Sequence, residues 1–302
     1  MSSPIFLSVC IPTYNRVSYL EKCVRSVISQ LTDEIEVIIQ DNASTDNTWN
    51  FLSSIEHVQV HCYSNETNIG LVPNFVEVVK NARGTYLYIL TDDDYLLIDG
   101  LKDSIAFARE SKCMAFKTAF FTFNEVSKTG QHFSLYPKNI FGEGVDLATA
   151  ARIYHESNIF SGFVFKKELF NETAIRSNIS NWYPSLLLMG LAGENIGYLA
   201  EPTNVHIWEN ETYWGISPEK RSELNRGQVE ILLYLLHNKF ISIEHYLELV
   251  KVHFSKWLFE DNEKLIHALP INKQKVIDKF YRSLRKKIQI QRIKGWLKST
   301  FF

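Results

Sequence analysis

The chain has no uncharged apolar run of about 18 residues, the length a helix needs to cross a bilayer. The nearest stretch, Ile179 to Gly193, is short and interrupted by Pro184, so no transmembrane helix is expected. The N-terminus lacks a basic segment followed by an apolar one, so no secretory leader is expected either. Cysteine is sparse: Cys10, Cys23, Cys62 and Cys113 show no CxxC or other metal-ligand spacing. Cys10 and Cys23 fall inside apolar periodic segments and read as core, which points to a reduced, cytoplasmic setting. Internal repeats and low-complexity tracts are also missing.

What is present is a chain of 302 residues, 45% hydrophobic and 22% charged, enough for one large domain with an appendage or two modest domains. The first hundred residues alternate strand and helix signals. Phe6 to Ile11, Ile35 to Ile39, Val58 to Tyr63 and Thr85 to Leu90 are short runs rich in apolar and β-branched residues. Between them Val17, Leu20, Val24, Val27 and Ile28 recur at helical spacing, Asp46 precedes a short helix, and Pro73 suits the first turn of a helix that Gly84 can end. Leu101 to Glu110 follows as a helix. This order predicts an α/β fold with a mostly parallel sheet covered on both faces. Further on, Met114 to Phe123, Phe163 to Phe165 and Tyr198 to Ala200 read as strands and Gln131 to Gly144 as a loop. Beyond about Glu211 only helical periodicity recurs, over residues 229–237, 243–259 and 276–293, which predicts a domain over 1–210 and a helical C-terminal region over 211–302.

In an open parallel sheet, ligands bind beyond the carboxyl ends of the strands. Three polar clusters follow strands here: Pro12-Thr13-Tyr14-Asn15-Arg16, Asp41-Asn42-Ala43-Ser44-Thr45-Asp46, and Thr91-Asp92-Asp93-Asp94-Tyr95. Any one alone reads equally well as a strand-to-helix turn, since Asp, Asn, Ser and Thr favour turns and caps. The three adjacent carboxylates go further. They repel one another, no turn requires all three, and a hard divalent cation bridging them to phosphate oxygens would relieve the repulsion.

At these residues the sequence resembles the inverting glycosyltransferase family 2, which has a GT-A type Rossmann-like fold. Residues Ser8 to Arg16 resemble the family's opening strand and nucleotide-binding turn, and Val37 to Asp46 its second motif. Asn68-Ile69-Gly70, Ala82-Arg83-Gly84 and Tyr88 to Asp94 resemble the approach to its DXD motif, and Ser161 to Phe165 and Tyr198 to Pro202 extend the likeness weakly. Within the family, the triple Asp is most like transferases that build bacterial O-antigen or capsule repeats. The resemblance implies a nucleotide-sugar donor, Mn²⁺ or Mg²⁺, and a saccharide or polyprenyl-linked saccharide acceptor. It implies that Tyr14 packs on the base, that Asp41 accepts from a base N–H, favouring a UDP- or dTDP-type donor, and that Pro12, Thr13 and Asn68 line the donor site. It implies further that Asp92 contacts ribose or diphosphate and that Asp93 or Asp94 holds the metal. Arg16 reads equally as phosphate-facing or as a surface residue.

The sequence departs from the family at the general base. The family places a carboxylate before the final apolar helix, where this chain has Asn181-Trp182-Tyr183-Pro184-Ser185. Glu194 is taken as the candidate, with Glu201, His206 and Glu209 as alternatives. His206 reads as a metal ligand, a base or, as lone histidines usually do, a satisfied surface residue. The missing base keeps open a second reading, a catalytically inactive nucleotide-sugar-binding or assembly scaffold. A sugar-phosphate nucleotidyltransferase is disfavoured because the turn at Pro12 to Arg16 has no glycine. From Lys273 to Phe302 there are ten Lys or Arg and one acidic residue, Asp278. With Val276, Phe280, Leu284, Ile288, Ile293 and Trp296 at near-helical spacing, this tail reads as a basic amphipathic helix for an anionic inner membrane face or as a stripe packed on the protein. No nucleic-acid motif accompanies it, so no nucleic-acid partner is expected.

Overall fold

The computed structural model describes residues 4–178, 184–208, 228 and 230–253. The first four strands are β1 (Leu7–Thr13), β2 (Ile35–Asp41), β3 (Val60–Ser64) and β4 (Tyr86–Ile89). They alternate with α1 (Val17–Ile28), α2 (Thr48–Ser53) and α3 (Leu71–Asn81) and pair in parallel in the order β3-β2-β1-β4. All residues of β2 and β4 are buried, which is why these strands read as nearly continuous apolar runs rather than as alternation.

Beyond β4 the sheet is mixed. A two-residue strand β5 (Tyr95–Leu96) and α4 (Gly100–Ser111) lead into the hairpin of β6 (Ala115–Asn124) and β7 (Thr129–Phe133). Then come α5 (Leu147–Glu156), β8 (Phe163–Lys166), α6 (Glu172–Asn178), α7 (Pro184–Ala192) and β9 (Ile196–Trp208). β8 joins β4 to β6 by antiparallel pairing, β9 runs parallel to β6, and β5 pairs antiparallel with β9. The β6–β9 ladder shifts register twice between Thr118 and Phe120. Such irregularities bend a strand pair, and here the far end of β9 returns to the turn between β4 and β5.

Apolar layers cover both faces. On one, α3, α5 and α7 share a core with a helix over residues 230–237 (α8) and with α9 (Ile243–His253); Ile231, Leu235 and Tyr246 cluster with Phe75, Ile89, Phe163 and Leu187. The fit is close, since a Cβ on Gly190 of α7 would stand 2.1 Å from Leu235 Cδ1. On the other, α1 and α4 pack Leu20, Val24, Leu101 and Phe107 against Val9, Val37 and Tyr88. Cys10 and Cys23 are fully buried, and burial raises both thiols, as expected of core residues. The basic tail lies outside the described residues.

Three readings of the sequence need correction. Gln131 to Phe133 belongs to β7 rather than to a loop; four of its five strand residues are exposed, so it shows no apolar alternation. β9 extends far beyond Tyr198 to Ala200. Gly84 does not end α3, which stops at Asn81. Its bare Cα instead allows close approach to β1, since a Cβ would lie 2.6 Å from the Ser8 nitrogen. Beside it, the fully buried carboxylate of Glu36 accepts hydrogen bonds from Ser8 Oγ at 2.6 Å and from the Arg83 N and Nε at 2.6 and 2.8 Å. The Ala82-Arg83-Gly84 motif is therefore a clamp between β1, β2 and β4 at the edge opposite the polar turns.

Candidate active site

The polar clusters after β1, β2 and β4 meet at one sheet edge. Thr13, buried at the end of β1, donates its hydroxyl to Asp92 at 2.7 Å and so ties the first turn to the acidic one. Asn15 takes a positive φ of 54° and its side-chain oxygen accepts from Thr45 N at 2.7 Å, joining the first turn to the second. Tyr14, between these anchors, remains 40% exposed, an aromatic face free for a ligand.

Asp41 is 1% exposed, and its carboxylate accepts from Ser44 N and Oγ and from Ser64 Oγ. Asn42 next to it bonds Asn68 Oδ1 at 2.9 Å, and Asn68 accepts from Gly70 N. Through Asn42, Asn65 and Asn74 these amides form a network that fixes the loop entering α3. Asn68 thus braces this edge from behind.

The three aspartates point three ways. Asp92 faces Thr13; burial, and next the charge of Asp93, push its carboxyl up to about 7 against the pull of Thr13 and Arg16. Asp93 is part exposed, 4.0 Å from the Arg16 guanidinium, and is raised by burial and by Asp94. Arg16 therefore turns toward the acidic cluster. Asp94 is fully buried and accepts from Ile207 N at 2.8 Å and from His206 Nδ1 at 3.1 Å. Burial alone would lower His206, but the charge and hydrogen bond of Asp94, then Asp93, outweigh it and raise the imidazole above its ordinary value. The surface-histidine reading of His206 is thereby corrected: it is the partner of a buried carboxylate, brought from 112 residues away by the bend in β9.

Glu194 is not brought to this cluster. It is exposed in the turn before β9, next to Tyr154 and His245, at the end of the strand opposite Ile207. Glu201 is exposed on β9 near Asp103 of α4. Asn181 to Tyr183 and Glu209 lie outside the described residues.

Sequence reasoning missed the layer behind the aspartates. Ser161 Oγ accepts from Thr91 N at 3.0 Å and pairs with the Thr91 hydroxyl at 2.9 Å. Lys117, fully buried, donates to the carbonyl of Ser161. Burial lowers this lysine, opposed by Glu156 and Asp94. Its one sequence signal is a lone lysine within the apolar run Ala115 to Phe121. Gly162 has φ +77°, and a Cβ there would lie 2.2 Å from Thr118 Oγ1, so only glycine fits between these groups.

Comparison with known proteins bears on the family and the fold. The profile described as "Glycosyl transferase family 2" matches residues 8–173. The Salmonella typhimurium abequosyltransferase RfbV is 26% identical over 281 residues, spanning 84% of this chain and 82% of that protein. The Escherichia coli UDP-Glc:alpha-D-GlcNAc-diphosphoundecaprenol beta-1,3-glucosyltransferase WfaP is 31% identical over 106 residues, 35% of this chain and 42% of that one. Among solved structures, S. aureus TarS 1-349 in complex with UDP-GlcNAc superposes with a TM-score of 0.64 at 17% identity, over 96% of this chain and 92% of that chain. The TarS complex with UDP gives 0.63 at 20% identity, over 89% and 77%; both likenesses bear on the fold, which is of the GT-A type. With the family profile covering more than half of its length, this chain belongs to glycosyl transferase family 2 and is a glycosyltransferase.

Proposed function

We propose that the protein transfers a sugar, with inversion, from a UDP- or dTDP-type donor to a hydroxyl of a saccharide or polyprenyl-linked saccharide during synthesis of a bacterial surface polysaccharide. The observation that carries this reading is the Thr13–Asp92 hydrogen bond, which fuses the turn bearing Tyr14 with the acidic turn into one cleft edge. Tyr14 and Asp41 receive the base, Asp92 the ribose or diphosphate, and Arg16 faces the diphosphate. The relatives' names, an abequosyltransferase and a glucosyltransferase acting on a diphosphoundecaprenol-linked sugar, support the polysaccharide setting.

The donor set fits a divalent cation that shares its shell with the donor. Among the described residues no three His, Cys, Asp or Glu side chains converge as a metal cage. Asp92 and Asp93 are nonetheless raised by burial and by crowded negative charge, which the Arg16 guanidinium offsets only in part. Mg²⁺ is commonly held by one or two carboxylates plus substrate phosphates. Asp93 or Asp94 would hold it, with His206 beside them, and it would supply charge neutralisation at the departing diphosphate.

Replacing Asp41 with Ala is expected to weaken nucleoside diphosphate binding by about 1–3 kcal/mol, the usual cost of a lost buried polar partner. Calorimetric titration with UDP and dTDP checks this; unchanged affinity would remove Asp41 from the base site.

For the basic tail the same reading places the enzyme on an anionic membrane surface, where each Lys or Arg contributes about 1 kcal/mol. No helix among the described residues is long and apolar enough to cross a membrane. Full-length protein is expected to sediment with anionic liposomes at low salt, and protein truncated from Lys286 onward to sediment less. Full-length protein left in the supernatant would show that the tail is not a docking device.

A further inference from the structure

The turn after α5 carries two acceptors that no described residue supplies with a donor. Glu156, the last residue of α5, is 9% exposed, and among the described residues no hydrogen bond reaches its carboxylate. Two residues on, the side-chain oxygen of Asn158 is buried, with no hydrogen-bond partner among the described residues. A buried carboxylate and a buried carboxamide oxygen without donors are costly unless something supplies them.

The turn belongs to the catalytic edge. It runs through Ser161, whose hydroxyl holds Thr91 immediately before the three aspartates. Its start is fixed to the first turn of α7, where Ser185 donates to the Ser157 carbonyl at 2.5 Å. Lys117, beneath it on β6, faces both Glu156 and Asp94 and so lies between this turn and the acidic one. The charged and titratable groups around Glu156 are Lys117 from β6 and Tyr198 from β9. α7 presents the uncharged Ser185, and α9 presents His245, which meets the Tyr154 ring edge-on at a centroid separation of 5.2 Å.

We propose that Glu156 takes the proton from the acceptor hydroxyl and that Asn158 accepts a second hydroxyl of the same saccharide. The assignment rests on the transferase reading above. The acceptor oxygen bonds to the anomeric carbon, and the bond from that carbon to the diphosphate oxygen breaks with its electron pair on the diphosphate. The hydroxyl proton passes to Glu156. Two acceptors on one turn without donors suit a polyol rather than a phosphate, which the carboxylate would repel. Burial lifts the Glu156 carboxyl above the ordinary carboxylate range and Lys117 offsets this only in part, a setting that suits a base working near neutral pH.

The test compares wild type with Glu156→Gln in nucleoside diphosphate release from UDP- and dTDP-sugars, using water and short oligosaccharides as acceptors, across pH. UDP affinity measured by calorimetry serves as the check on folding. The expected result is unchanged UDP affinity, a fall in kcat of about 100-fold or more, and loss of the rising pH limb that wild type shows above the ordinary carboxylate range. Glu156→Asp, which keeps the charge one methylene further back, retains that limb at reduced kcat. Release within threefold of wild type by Glu156→Gln overturns the assignment, as does loss of UDP binding in that variant, which marks a structural role. A wild-type protein that binds UDP yet turns over none of these donors overturns the UDP- or dTDP-type donor reading and this assignment with it; one that binds no nucleotide overturns the donor site first.

Discussion

Asp93→Asn and Asp94→Asn are expected to produce the largest loss of activity, with at least one of them bringing transfer below detection. Each keeps the shape of the side chain and removes one negative charge. At Asp94 the substitution also disturbs a carboxylate that holds Ile207 N and His206 together, so the end of β9 is released from the acidic turn. Charge-stabilising groups of this kind typically contribute about 10²–10³-fold to turnover, and a lost metal ligand costs more. Initial rates at limiting Mn²⁺ measure the effect. If both variants keep wild-type turnover, the cation does not sit on this turn. The two separate further by UDP affinity in the absence of metal: Asp93 faces Arg16 and solvent, so its substitution leaves the apo site intact.

The largest effect on stability is expected at Glu36. Its carboxylate is fully buried and takes hydrogen bonds from Ser8 and twice from Arg83, and Ser8 Oγ in turn accepts from Gly84 N at 2.8 Å. Glu36→Ala leaves those donors unpaired and opens a void at the junction of β1, β2 and β4. Breaking a buried pair costs about 3–5 kcal/mol; with the Arg83 side chain 62% exposed and able to rehydrate, about 3 kcal/mol is the expected loss. The pH dependence has a definite sign. Burial alone would raise Glu36, but the bonds from Ser8 and Arg83 and the guanidinium charge outweigh it and hold the carboxyl below its ordinary value. A group lowered on folding adds stability above its unfolded pKa, about 4.3 for Glu, and loses it as pH falls through the folded value. The melting-temperature gap between wild type and Glu36→Gln is therefore widest near pH 7 and closes under acid. A gap that is flat or widens on acidification contradicts the clamp.

How much of this the sequence contained depends on the range of the interaction. β1, β2 and β4 were legible because a strand buried on both faces is a compact apolar run and the turn after it is polar. The triple Asp was legible because adjacent charges of one sign carry a cost that is visible without coordinates. β5 and β7 were not legible: one has two residues, and the other is too exposed to carry a pattern. Asp94–His206 and Lys117–Ser161 join residues 112 and 44 positions apart through the bend of β9 and the crossing of β8. No local rule of spacing reports such pairs. Glu194 lies close in sequence to where the family's base is expected, yet the return of the chain through α7 places it at the end of β9 away from the acidic turn. The unused acceptors at Glu156 and Asn158 show only when the hydrogen bonds around them are traced.

The most direct test of the account is a thermal-shift titration of the full-length protein with UDP, dTDP and their sugars, with and without Mn²⁺. Ligand that binds only the folded state at 100 times its Kd adds about 2.7 kcal/mol to stability. At least one of these nucleotides is expected to raise the melting temperature, more so with Mn²⁺, and Asp93→Asn or Asp94→Asn to remove the metal-dependent part. A melting temperature unmoved by every nucleotide, with or without the cation, would contradict the assignment of this sheet edge as a nucleotide-sugar site.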